Sequence, residues 1–159
     1  MSFKKFALVA SVFALAACGG TSESAPAAEQ TAAAPAAETA PAAAAAVTGT
    51  THEIKMIGDE KGYRFEPANL TVKTGDAIKY VFVSGGPHNV AFEGTTLSAD
   101  VKKQLDANFS AKMAELSSNM MLNAGESVTI SFAGIPAGKY PFNCTPHLAM
   151  NMKGVITVE

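Results

Sequence analysis

The β-rich runs of this chain are all short, and each is stopped by a turn signal. They lie at residues 53–57, 70–73, 78–83, 90–92, 127–132, 139–143 and 155–158. Thr74-Gly75-Asp76 and Pro136-Ala137-Gly138 are two of the turns that separate them. Within 127–132 the alternation is clean. Val128, Ile130 and Phe132 share one face, and Ser127, Thr129 and Ser131 share the other. A series of half-buried strands at such spacing suggests an all-β antiparallel sandwich.

One segment breaks the pattern. Between residues 98 and 118, Val101, Leu105, Phe109, Met113 and Leu116 recur at about helical spacing. Ser98 stands where an N-cap belongs. One or two short helices inserted between strands are expected here, with the apolar stripe packed on the sandwich.

The first 47 residues have no part in such a core. Residues 1–17 combine a basic start, MSFKK, with the apolar run FALVASVFALAA, and so have the form of a signal peptide. Leu15-Ala16-Ala17-Cys18 is similar to the lipobox of bacterial lipoproteins, in which the cysteine is acylated and becomes the first mature residue. Ordinary cleavage nearby would give a soluble protein instead. Residues 18–47 then form an acylated cysteine followed by an Ala/Pro-rich stretch. It has no large aliphatic or aromatic residue before Val47, so it is expected to stay a disordered linker. Such a linker has an end-to-end distance of about 30 Å. The folded domain is expected over 48–159. With 12 Lys+Arg against 14 Asp+Glu, no basic face points to nucleic acid.

Chemistry concentrates in NCTPHLAMNM, residues 143–152, in a chain with only three histidines and two cysteines. If Cys18 carries lipid, Cys144 has no disulfide partner in an oxidising compartment. It is then a buried inert thiol, a nucleophile or a metal ligand. No Gly-rich elbow or nearby carboxylate supports a nucleophile. Its neighbours favour metal: His147 three residues on, Met150 and Met152 beyond it, and His88 after Gly85-Gly86-Pro87. A thiolate, two imidazoles and a weak thioether make the donor set of a blue-copper site. Soft sulfur suits Cu(I) and nitrogen suits Cu(II), so little has to move with the electron. Zinc accepts a cysteine and two histidines but has little use for the thioether.

The segments RFEPANLTVKTGD, GGPHNVAFE, AGESVTISF and PAGKYPFNCTPHLAMNMKGVITVE resemble the plastocyanin branch of the cupredoxins, and the loop is similar to that of pseudoazurins. The resemblance spans the domain. It implies a Greek-key β-sandwich, one type 1 copper and a small electron carrier that is not an enzyme. It assigns His88, Cys144, His147 and Met152 as ligands. Met150, the rival axial ligand, would pack beside His147, which is expected to be the exposed edge where electrons enter and leave. Asn89 is expected to donate its backbone N–H to the cysteine sulfur and to tie its side chain to Thr145, while Pro146 removes an N–H near the sulfur. Gly85, Gly86, Pro87, Leu148, Ala149 and Met150 would form an apolar patch for transient docking of a redox donor and acceptor. His52 resembles no ligand and is expected to be exposed. Two departures matter: Asn143 stands where plastocyanins usually carry tyrosine, and no long acidic run is present. The expected protein is a monomer in the bacterial cell envelope, membrane-anchored through Cys18 or soluble in the periplasm. The alternative function is a periplasmic copper carrier. A metal-free adhesive domain is the remaining reading.

Overall fold

The computed structural model describes residues 42–159. The expected signal peptide, Cys18 and most of the expected linker lie outside them. The described chain forms β1 (Thr51–Asp59), β2 (Gly62–Glu66), β3 (Asn69–Val72), β4 (Ala77–Ser84), β5 (Ala91–Phe92), helix α1 (Ala99–Ala107), β6 (Lys112–Ala114), β7 (Ser117–Ser118), β8 (Ser127–Ser131), β9 (Gly138–Asn143), a 3-10 turn (Thr145–Met150) and β10 (Lys153–Val158). They build two sheets, ordered β2-β1-β4-β8 and β3-β10-β9-β5-β7-β6.

Each sheet holds one parallel pair, β1 with β4 and β3 with β10, amid antiparallel neighbours. A purely antiparallel sandwich is therefore corrected to a mixed one. The chain crosses between sheets after β1–β2 and again after β3, so strands meet partners that no hairpin joins to them.

The core follows the two-residue period of the strands. Ile78, Tyr80 and Phe82 of β4 point inward, as do Val128 and Ile130 of β8, Tyr140 and Phe142 of β9, and Ile156 and Val158 of β10. Phe65, Tyr80 and Phe142 meet edge to face, with centroids 4.7–6.2 Å apart. Such packing adds about 0.5–1.5 kcal/mol per pair beyond burial.

The insertion is a single helix. The Ser98 hydroxyl accepts the Val101 N–H at 3.4 Å, as an N-cap should, and Asn108 closes the other end. Leu105, Phe109 and Leu116 are buried, but Met113 is 61% exposed on β6. The helical stripe therefore ends with Leu105, and Phe109, beyond the Asn108 cap, bridges Ile130. Beyond it Ser110 donates to Thr129 and the chain becomes extended, so the apparent periodicity of Met113 is not a helical one. Strand β2 and the β6–β7 pair, absent from the sequence reading, hold pairings specified by their partner strands rather than by their own patterning.

Candidate metal centre

The inward phase of two strands carries on into the site. In β9, Tyr140 and Phe142 face the core, and the next residue in phase is Cys144, fully buried. In β10, Ile156 and Val158 face the core, and the same phase read backwards reaches Met152, also fully buried. Asn143 pairs with Lys153, and the Cys144 N–H donates to the Met152 carbonyl at 3.1 Å. The intervening 3-10 turn folds back: the His147 N–H donates to the Cys144 carbonyl at 3.0 Å. Asn151 ends it at φ 62°, a left-handed position that asparagine tolerates.

His88 arrives from the end of β4. Gly85, at φ 74°, lets the chain turn there, and a Cβ on it would lie 2.4 Å from the Gly58 Cα. His88 exchanges both backbone hydrogen bonds with Met121. Its Nε2–H donates to the Ser84 carbonyl at 2.9 Å, which leaves the Nδ1 lone pair free to bind a metal.

The Nδ1 atoms of His88 and His147 lie 3.6 and 3.5 Å from the Cys144 Sγ. All three donor atoms fall within 4.8 Å of one another, and all three residues are buried. Metal–sulfur and metal–nitrogen bonds of roughly 2.3 and 2.0 Å, at angles of about 109–120°, place donors about 3.5–3.8 Å apart. The spacing present therefore admits one first-row metal. Burial lowers the proton affinity of His88, and that of His147 through burial and then the neighbouring His88. Both rings are thereby favoured in the neutral, ligating form. Burial raises the Cys144 thiol, against the N–H groups of Asn89 and His147. A cation in the pocket would reverse that balance toward thiolate.

Asn89, 1% exposed, ties the two halves of the site together. Its backbone N–H lies 3.5 Å from the Cys144 Sγ. Its Oδ1 accepts the Thr145 N–H at 2.7 Å, and its Nδ2 donates at 3.1 Å to the Thr145 and Ser117 hydroxyls. Pro146 stands near the start of the turn, where its missing N–H leaves no competing donor.

Two expectations change. His147 is only 5% exposed and does not form an open edge. Tyr63 of β2 stacks on it, with ring centroids 3.7 Å apart and planes at 19°. The surface at this end is therefore shared by Tyr63, Gly86, Pro87, Leu148 and Met150, the last 55% exposed. His52 is not a free surface histidine, since its Nε2 lies 3.0 Å from the Asp76 Oδ2. Of the two methionines, Met152 is buried and Met150 is not. Sequence reasoning missed Tyr63, Ser84 and Ser117. Tyr63 reaches the site only through the β1–β2 pairing, so nothing local in the sequence marks it.

The family model described as copper binding proteins, plastocyanin/azurin family, matches residues 52–159. Plastocyanin of Nostoc punctiforme is 35% identical over 113 residues, 69% of this chain and 74% of the relative. Plastocyanin of Scenedesmus fuscus is 34% identical over 107 residues, 67% of this chain and 97% of the relative. Among solved structures, oxidised plastocyanin from Dryopteris crassirhizoma superimposes with a TM-score of 0.53 at 29% identity, covering 67% of this chain and 99% of that one. A buried thiol and two imidazoles at metal spacing, on a two-sheet scaffold whose whole length matches the family, leave one conclusion: this chain belongs to the plastocyanin/azurin family of copper-binding proteins.

Proposed function

We propose that His88, Cys144 and His147 would hold one copper ion and that Met152 would add a weak thioether ligand. The protein is a small copper electron carrier rather than an enzyme, and it passes single electrons transiently between redox partners. Copper held by these residues supplies a one-electron Cu(I)/Cu(II) couple. The observation that carries the ligand assignment is the 3.5–3.6 Å spacing of both Nδ1 atoms from the Cys144 Sγ in a fully buried pocket. The protein's own part is to keep that pocket fixed. Ser84 orients the His88 ring, Asn89 braces the sulfur and the Thr145 turn, and Tyr63 and Phe82 pack on the imidazoles. Rigid ligands limit reorganisation when the charge changes.

The apolar rim of Gly86, Pro87, Leu148 and Met150 is the surface we assign to partner docking. Small, weakly held contacts suit turnover. The monomer and the envelope location are part of the same reading, with attachment through an acylated Cys18, or a soluble periplasmic form if cleavage falls elsewhere. The mass of the mature N-terminus separates these two. Burial of the three ligands favours retention of copper over the carrier alternative, which requires ready release to an acceptor.

The deciding experiment is the visible spectrum of the purified protein with Cu(II), before and after a reductant. An intense thiolate-to-copper band that bleaches reversibly is expected. The band should vanish in Cys144→Ala and change shape in Met152→Leu, but stay unaltered in Met150→Leu. A band altered by Met150→Leu and not by Met152→Leu would overturn the assignment of Met152 as a ligand. Copper binding without a band would overturn the electron-carrier site.

A further inference from the structure

The helix inserted between β5 and β6 has no part in the metal centre, and neither has the run that precedes β1. The two meet. Ala45 donates its N–H to the Asn108 Oδ1 at 2.9 Å, and the Gln104 Nε2 donates to the Ala43 carbonyl at 3.1 Å. Gln104 also donates to the Asn108 Oδ1 at 2.9 Å. Asn108 is 4% exposed, and its Nδ2 donates to the carbonyls of Ser131 and Ala133, both at 2.9 Å. Both N–H donors and both acceptor sites of this buried amide are thus committed, the donors to the sandwich and the acceptors to the helix and the incoming chain. Further along, Thr48 and Gly49 both donate to the Gly75 carbonyl at 3.0 and 2.9 Å, and Thr50 donates to the Asp76 Oδ1 at 2.8 Å. Gly49 lies so close that a Cβ on it would stand 2.1 Å from that carboxylate oxygen. An alanine-rich run with no side chain for the core is therefore held by its backbone at both ends.

All of these contacts lie at one end of the sandwich. Ala77 pairs with Ser131 at that end of β4 and β8, while Ser84 and the His88 turn lie at the other. The seven steps from Ala77 to Ser84 span about 23 Å. We propose that α1 and its cap, through Gln104 and Asn108, form a clip on residues 43–45 that, with Gly75 and Asp76 holding residues 48–50, straps this run across the pole opposite the metal centre and so fixes where the N-terminal segment leaves the domain. A chain held by its N-terminus is then joined to its tether at the pole of the domain opposite the copper site. That use rests on the proposed attachment through Cys18, but the clip itself does not.

Amide hydrogen exchange on the full chain tests it. The Ala45, Thr48, Gly49 and Thr50 amides should exchange about tenfold or more slowly than free chain, the equivalent of at least one net hydrogen bond each. Asn108→Ala, which removes its acceptor, should return the Ala45 amide toward the free rate while the Ile54 amide in β1 stays protected. Ala45→Pro removes the donor from the strap without touching the helix. It should speed cleavage of residues 42–47 by an alanine-directed protease severalfold with the domain still folded. Free-chain exchange at Ala45 in the unaltered protein, or cleavage indifferent to Ala45→Pro, would overturn the clip. An N-terminus without an acyl mass would remove the attachment reading and leave the exchange result standing.

Discussion

Asn89→Ala should weaken the fold at the metal centre by an amount that the structure fixes. The substitution removes three side-chain hydrogen bonds, one from the Thr145 N–H and two to the Thr145 and Ser117 hydroxyls. Its backbone N–H toward the Cys144 Sγ remains. Each lost bond is worth about 1 kcal/mol net, and a partner left unsatisfied costs about 1–3 kcal/mol. Thr145 is exposed and Ser117 half-buried, so water can reach both and the lower end of that penalty applies. The expected loss is about 2–4 kcal/mol, a large share of the roughly 5–15 kcal/mol that holds a domain together. Urea unfolding of the metal-free protein reads it directly: with a slope of about 1–3 kcal/mol/M, the midpoint falls by about 1–2 M at unchanged slope. Asn89→Ser, which can keep one of the bonds, should fall between the two. A loss below about 0.5 kcal/mol would show that water replaces these bonds and that Asn89 braces nothing, refuting the reasoning.

Three further outcomes follow from the same structure. Tyr80 is fully buried, and its hydroxyl has no hydrogen-bond partner among the described residues, so Tyr80→Phe should stabilise the domain by about 1 kcal/mol or more. In thermal unfolding that is a rise of several degrees in Tm, and a lowered Tm would show the hydroxyl to be satisfied. Tyr63→Leu removes a stacked ring worth about 0.5–1.5 kcal/mol and uncovers His147, so small redox ions should oxidise the reduced protein faster in stopped flow. Tyr63→Phe should behave as the unaltered protein, and equal rates in all three would contradict the covering role. Asp76 is held down to about 2 by the Lys73 N–H, then by His52 and the Thr50 N–H. Its folded-state value is depressed, so its contribution is complete above the unfolded value of about 3.9 and is lost as pH falls through about 2. The stability gap between the unaltered protein and Asp76→Asn should therefore close between about pH 4 and pH 2, and a constant gap would refute the assignment.

Local sequence was enough to read the β-sandwich, the convergence of His88, Cys144 and His147, and the cap of the inserted helix. Each of these depends on local information: alternation sets which face of a strand is buried, and the loop from Cys144 to Met152 carries its donors within nine residues. Even Asn89 was legible, because it sits next to His88 in a motif. Tertiary structure alone decided what lies over and behind the metal centre. Tyr63 covers His147 because β2 pairs with β1, and β1 lies parallel to β4 across a sheet crossover. His52 loses its freedom to Asp76 through that same parallel register, which sets Thr51 beside Ala77. The stripe from Val101 to Leu116 breaks after Leu105 because Phe109 and Ser110 find strand partners in Ile130 and Thr129, contacts that helical periodicity does not encode. The alanine-rich run before β1 has the composition of a free linker, yet from Ala43 it is bound by backbone groups, which composition does not count. Side-chain pattern tells a segment which face to bury. Which distant backbone or ring it will meet is settled only when the two sheets close.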